Sequence, residues 1–252
     1  MEESRLEYSG ARTAERSSSG SPYKSAVTQN IEDETVRALK EYIDLEGKLE
    51  RAKTNLALRY DFNLFDAFRI FDSYSSGYFV LSDFRLALQD LGIFATYEEL
   101  SLFFTRYDTD KDGRIRFSEF AEAFLPRDSL SASRLNGRGS NHVRPPFYPS
   151  RDSCFGAPTS FEFKDLLRTH FRVELAAEDL RQRLRRVPLF SGYDAYKTCD
   201  IYNDGVVTKN EIKRLFDLRG IYVNNEDVNG LMEKFDKDRD GRISYSEFMD
   251  EI

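Results

Sequence analysis

Much of the first half of this 252-residue chain is written again 128 residues later. Phe65-Asp66-Ala67-Phe68 recurs as Tyr193-Asp194-Ala195-Tyr196, and Leu91-Gly92-Ile93-Phe94 as Arg219-Gly220-Ile221-Tyr222. The block from Gly113 to Phe120 recurs from Gly241 to Phe248. Leu56 falls on Leu184, so the segment ahead of each block belongs to the repeat as well. Such self-similarity predicts two copies of one unit, a leading helix followed by two helix–loop–helix modules.

Composition shifts divide the chain around these copies. Residues 1–30 are rich in Ser, Gly and charge, with no periodic apolar face, and are expected to be disordered. Residues 31–59 read as one long helix. Its Ala38, Tyr42, Leu45, Leu49, Ala52 and Leu56 recur at steps of four and three, a short seam expected to pack on its own domain rather than on a coiled-coil partner. Residues 60–125 hold the first pair of modules. Residues 126–159 carry Pro126, Gly137, Gly139, Pro145, Pro146 and Pro149, with five arginines against two aspartates, and read as a solvated flexible connector. A second helical segment is expected over 160–187. Its arginines (Arg168, Arg172, Arg181, Arg183) alternate with Leu166, Leu167, Phe171 and Leu180; alignment with the first leading helix favours a scaffold role over a membrane-surface one. The second pair spans 188–252.

Within each copy lies a twelve-residue acidic loop with a fixed spacing. Asp108, Asp110 and Asp112 stand at positions 1, 3 and 5, Gly113 at 6, Arg114 at 7 and Glu119 at 12. Asp236, Asp238, Asp240, Gly241, Arg242 and Glu247 repeat the pattern. Calcium takes six to eight hard oxygens at about 2.3–2.6 Å. Three aspartates, the backbone carbonyl of Arg114 or Arg242, and a glutamate long enough to reach back with both oxygens supply such a shell. The glycine permits the sharp turn, and Ile115 is expected to pair with the neighbouring loop. Arg116 occupies position 9 of the first loop, where an acid that holds water is common, and is expected to weaken that site.

Two poorer loops lie 36 residues upstream of these. The loop from Asp72 to Asp83 has Tyr74 at position 3, Ser76 at 5 and only a short acid at 12, and is expected to bind no calcium and to serve the fold alone. The loop from Asp200 to Glu211 lacks an acid at position 3 but keeps Asp204 at 5, the Val206 carbonyl at 7 and Glu211 at 12. It is a weaker third candidate.

These loops and their flanking helices resemble the EF-hand superfamily, with a two-lobe plan similar to that of calmodulin or centrin. The resemblance covers about 60–125 and 188–252. It implies an all-α fold of two EF-hand pairs, each preceded by an extra helix, and calcium as the cofactor at two loops with the third as a weaker candidate.

Function follows less directly from sequence. Apart from Met1, only Met232 and Met249 are present, whereas a broad-range sensor exposes a Met-rich groove. A calcium-responsive regulatory subunit acting on a dedicated protein partner is the leading expectation. The alternative is a structural component of a cytoskeletal or ciliary assembly stabilised by calcium. No enzymatic role is expected, because His142 and His170 are the only histidines and neither sits in a catalytic pattern. A net charge of −7 argues against nucleic acid as a partner. No apolar run reaches the ~18–20 residues needed to span a bilayer. The polar N-terminus is unlike a secretory signal, and Cys154 and Cys199 form no CxxC pair, so a cytoplasmic setting is expected.

Overall fold

The computed structural model describes residues 22–139 and 154–252. Among them are eleven helices and four short strands. The repeat is kept in the helix boundaries: α2 (Leu64–Phe71), α3 (Leu81–Asp90) and α4 (Tyr97–Tyr107) have counterparts in α8 (Gly192–Cys199), α9 (Lys209–Leu218) and α10 (Asn225–Phe235), each 128 residues on. Likewise α5 (Phe117–Phe124) corresponds to α11 (Tyr245–Glu251). In each lobe the two loops are joined by a two-stranded antiparallel ladder. Strand β1 (Tyr78–Val80) pairs with β2 (Arg114–Arg116), and β3 (Val207–Thr208) with β4 (Arg242–Ile243). Ile115 faces Phe79 across the first ladder, as its position in the loop predicts.

The leading helices are α1 (Pro22–Ala57) and α7 (Ala157–Arg185). They run antiparallel along one another: Arg59 at the end of α1 meets Glu162 near the start of α7, and Arg183 near the end of α7 meets Glu41. This crossing divides each helix between two cores. The first core takes Leu49, Leu56 and Ala57 from the C-terminal half of α1, with Phe163, Leu166, Leu167, Phe171 and Val173 from the N-terminal half of α7. The second takes Ile31, Val36, Leu39, Tyr42 and Ile43 from α1 with Ala177, Leu180 and Leu184 from α7. Each EF-hand pair is therefore closed by the far half of the other copy's helix. The heptad seam of α1 is spent inside the molecule: Ala38, Tyr42, Leu49 and Leu56 are buried, and Leu45 and Ala52 are partly buried against the cores.

Phenylalanines fill the first core. Phe163 of α7 sits 5.6 Å from Phe124 and 6.2 Å from Phe71, and Phe171 sits 6.1 Å from Phe84 (ring centroids). Burying each such ring contributes roughly 1.5–3 kcal/mol, with offset and edge-to-face geometry adding to it. In the second lobe Tyr42 meets Phe235 edge-on at 5.4 Å and donates its hydroxyl to the Glu251 carbonyl at 2.7 Å. His170, the counterpart of Tyr42 in the repeat, meets Tyr107 edge-on at 5.3 Å, and its Nδ1 lies 3.0 Å from the Tyr107 hydroxyl. Burial, reinforced by Lys53 and Arg106, pushes the His170 pKa well below its ordinary value. It is a core residue.

At the centre of the crossing lie Glu46 and Glu174, again 128 residues apart and both almost wholly buried. Arg106, in the last turn of α4, pairs with Glu46 at 2.8 Å and also with Glu174. Lys234, its counterpart in α10, pairs with Glu174 at 3.0 Å. One buried ion network therefore ties both lobes to both long helices.

Three boundaries differ from expectation. Helix α1 begins at Pro22, so residues 22–30 are helical rather than disordered; Val27 and Ile31 pack against the second core, an apolar contact that local composition does not reveal. Residues 1–21 lie outside the described residues. Residues 126–139 are partly helical and docked on the rest of the molecule rather than a free connector, although most of them are exposed. Asp128 caps a further helix, α6 (Ser129–Asn136), by accepting the N–H groups of Leu130 and Ser131, and Leu135 is buried. Arg127 reaches Glu46 and Glu233, and Arg138 donates to the carbonyls of Ala57, Arg59 and Phe62 at the end of α1. These arginines tie the segment down by pairing with buried Glu46 and by satisfying carbonyls at and just beyond the end of α1. The rest of the expected linker, 140–153, lies outside the described residues, and α7 then begins at Ala157.

Candidate metal centres

All four loops fold by the same device. The aspartate at position 1 accepts backbone N–H groups from positions 5 and 6: Asp108 from Asp112 (3.1 Å) and Gly113 (2.8 Å), Asp236 from Asp240 (3.1 Å) and Gly241 (2.8 Å). Asp200 does so with Asp204 and Gly205, and Asp72 with Ser76 and Gly77. The turn needs positive φ at position 6, where glycine stands every time (φ 78–88°). Position 4 is also left-handed, at Ser75, Lys111, Asn203 and Arg239. The poorest loop thus keeps Asp72 and Gly77 for the fold itself.

Position 12 separates the loops. Glu119 uses both oxygens: Oε1 accepts the Thr109 N–H (2.9 Å), while Oε2 accepts the Arg116 N–H (2.9 Å) at the start of α5. Glu247 does the same with Lys237 and Ser244, and Glu211 with Tyr202 and Thr208. Each carboxylate is drawn back across its loop. Asp83, one methylene shorter, accepts only the Val80 N–H at 3.2 Å, so it caps α3 without reaching across. Together with Tyr74 at position 3, this explains why no acidic cluster forms there.

Three clusters do form among the described residues: Asp108, Asp110 and Glu119; Asp200, Asp204 and Glu211; Asp236, Asp238 and Glu247. In each, one carboxylate oxygen per residue lies within 4.8 Å of the others. Oxygens at about 2.3–2.6 Å from one calcium ion fall within that span of one another, so the donor chemistry and spacing fit a hard divalent cation. Asp112 and Asp240 stand at position 5, outside these closest groups, and accept the N–H of Arg114 (2.9 Å) and Arg242 (2.8 Å). Arg114 and Arg242 lie on β2 and β4, whereas Val206 precedes β3 and donates its N–H to Asp204.

Electrostatics differ between the two strongest loops. Burial raises the pKa of Asp108, with backbone N–H groups only partly offsetting it. Asp238 lies above the ordinary range: the Asp240 N–H lowers it, but burial and the neighbouring carboxylates of Asp240, Glu247 and Asp236 outweigh that. Asp112 goes the other way. Desolvation would raise it, yet hydrogen bonds from Arg116 and the Arg114 N–H bring it down. Arg116 at position 9 donates to Asp110 Oδ2 (2.6 Å) and Asp112 Oδ2 (2.5 Å). In the third loop Lys197 plays a related part, holding Asp200 at 2.8 Å.

Sequence reasoning located the loop residues but not the buried charges beside them. Arg106 and Lys234 stand two residues before Asp108 and Asp236, in the last turn of the helices that enter those loops. The signal was present, because the 128-residue offset carries Glu46 onto Glu174 and Arg106 onto a second cation, Lys234.

The model of the EF-hand domain pair matches residues 61–125 and again 193–252. These stretches take in both loops of each lobe together with their helices. Matched twice, with the loop-folding hydrogen bonds repeated in both halves, the chain belongs to the EF-hand family of calcium-binding proteins.

Proposed function

We propose that this chain is a calcium-stabilised structural or docking component of a protein assembly, rather than a broad-range sensor that opens a groove. The observation that carries this reading is the filling of both EF-hand clefts by the chain's own helices. Phe163, Leu166, Leu167 and Phe171 of α7 occupy the first, and Ile31, Leu39 and Tyr42 of α1 the second. Opening either cleft would expose those rings and strip the Glu46–Arg106–Glu174–Lys234 network of its partners. Calcium would then chiefly fix the loops, at the fully acidic sites Asp108–Glu119 and Asp236–Glu247 and at a poorer one, Asp200–Glu211. A protein partner would dock on the outer surface, where Phe94 and its repeat counterpart Tyr222 are both exposed. A cytoskeletal or ciliary setting within the cytoplasm accords with such a role, and no catalytic role is assigned. Among the described residues, no helix is long and apolar enough to cross a membrane.

A second reading is a calcium-responsive regulator of one dedicated partner. It draws on the position of Arg106 and Lys234, through which a change at either loop would bear on the helix crossing.

Thermal unfolding and apolar-dye fluorescence, each measured with calcium and with chelator, separate the two. Calcium raising the melting temperature without raising dye fluorescence is the expected result. A clear rise in dye fluorescence on adding calcium would overturn the structural reading in favour of the regulator.

A further inference from the structure

The loops Asp108–Glu119 and Asp236–Glu247 have the same acids at positions 1, 3, 5 and 12, and each carries four acids and three bases. They differ in where the bases point. In the second loop Arg239 reaches outward to Glu122, and Lys237 to Asp250 (3.4 Å) and Glu251 (3.3 Å). In the first, Arg116 turns back across the loop onto two of the ligand residues. Its counterpart, Ser244, instead caps α11, donating its hydroxyl to Glu247 Oε2 at 2.7 Å and accepting the Glu247 N–H.

The oxygens involved decide the consequence. Asp110 Oδ1 and Asp112 Oδ1 are engaged by the backbone N–H groups of Asp112 (3.3 Å) and Arg114 (2.9 Å). The two Oδ2 atoms accept no backbone N–H among the described residues, and the Arg116 guanidinium holds both. In the other loop, Oδ1 of Asp238 and of Asp240 accept the equivalent N–H groups at 3.1 and 2.8 Å. No ion pair to Asp238 or Asp240 occurs there among the described residues.

We propose that Arg116 is a built-in competitor of calcium at Asp108–Glu119: the guanidinium must leave Asp110 and Asp112 before an ion takes their oxygens, so this loop binds more weakly than its twin. The inference rests on the reading that these loops load calcium. Because the pairs are exposed (side-chain exposure 42% for Arg116, 53% for Asp110 and 30% for Asp112), salt screens them. Raising salt therefore weakens the competitor along with the ion, and the fall in calcium affinity with ionic strength is shallower than in a loop without the arginine.

The test is calcium titration calorimetry on the full chain carrying Glu211→Gln and Glu247→Gln, so that the first strong loop is read alone. Removing two exposed ion pairs with Arg116→Gln should tighten calcium binding roughly twofold to thirtyfold and steepen its salt dependence, while Arg116→Lys should stay close to the unsubstituted arginine. Arg116→Ser adds the N-cap found in the other loop and separates capping from competition. A gain with Ser but none with Gln would overturn the proposal, as would a Gln variant that binds no more tightly than the parent. Glu119→Gln distinguishes the two levels of failure. A signal abolished by Glu119→Gln yet indifferent to Arg116→Gln leaves the calcium loop standing and removes only the competitor. No signal in any variant removes both.

Discussion

Replacing Glu174 with glutamine takes one charge from the centre of the molecule and leaves two cations behind. Arg106 keeps Glu46 at 2.8 Å, but Lys234, with only 5% of its side chain exposed, is left with Glu251 at 3.8 Å. Removing one partner of a buried pair costs about 3–5 kcal/mol. A second route gives a similar figure. Burial would raise the Glu174 pKa, but Lys234 and Arg106 outweigh it and hold the group at about 2, against an ordinary 4.5. A carboxyl depressed by that much in the folded state contributes about 3 kcal/mol at neutral pH. The sign follows from the direction of the shift: this stability is present above pH 4.5 and is lost as the pH falls towards 2. Urea unfolding followed by circular dichroism at pH 7 should therefore show Glu174→Gln less stable by about 3–5 kcal/mol. Its stability should also vary less between pH 4.5 and 2 than that of the parent. Adding Lys234→Met removes the orphaned cation and should recover much of the loss. A cost below about 1 kcal/mol, or a double variant no better than the single one, would refute the claim that this network holds the lobes together.

Glu119→Gln and Glu247→Gln should each weaken one calcium site by on the order of a hundredfold, read by calorimetry, whereas Asp83→Glu should create no site, because Tyr74 and Ser76 supply no carboxylate. Arg138→Ala removes the guanidinium from the carbonyls of Ala57, Arg59 and Phe62, leaving Arg59 only the Phe62 N–H at 3.4 Å, and should cost about 1–3 kcal/mol in chemical denaturation. Cys199 is fully buried, and burial raises its thiol pKa far above the ordinary value. A thiol-reactive dye should therefore modify Cys154 first and Cys199 only at the rate of unfolding.

The parts legible from sequence were those fixed by local chemistry. Twelve-residue spacing placed every loop, because a chain that wraps a cation has few ways to arrange its acids and its turn glycine. The 128-residue offset gave the paired architecture, and alternating steps of four and three gave the seam of α1. Long-range contacts were not legible. Nothing local says that Val27 and Ile31 will find the second core, so helix α1 was expected to start later than it does. Composition made 126–139 look like a connector, yet Arg127 and Arg138 dock it on partners more than 75 residues away in sequence. No local signal marks Glu46 and Glu174 as buried; the antiparallel crossing brings them together. The fit of Arg116 to Asp110 and Asp112 was foreshadowed by its position in the loop, but only geometry assigns the oxygens it takes.

The crossing of α1 and α7 also bears on how such a chain arose. A half-length protein with one leading helix and one EF-hand pair would present that helix with half of its apolar face uncovered and its cleft open. It could complete both only by exchanging helices with a second copy of itself, each glutamate meeting the other's across a twofold axis. Duplication within one gene makes that dimer a single molecule. The two halves are then free to differ, and at the sites they do: one loop has Tyr74 and Ser76 where the two fully acidic loops carry aspartates, another has Arg116 where its twin has Ser244, and Lys234 stands where its twin is Arg106. Divergence at the crossing is constrained more tightly, since either helix must still fit a lobe to which it does not lead.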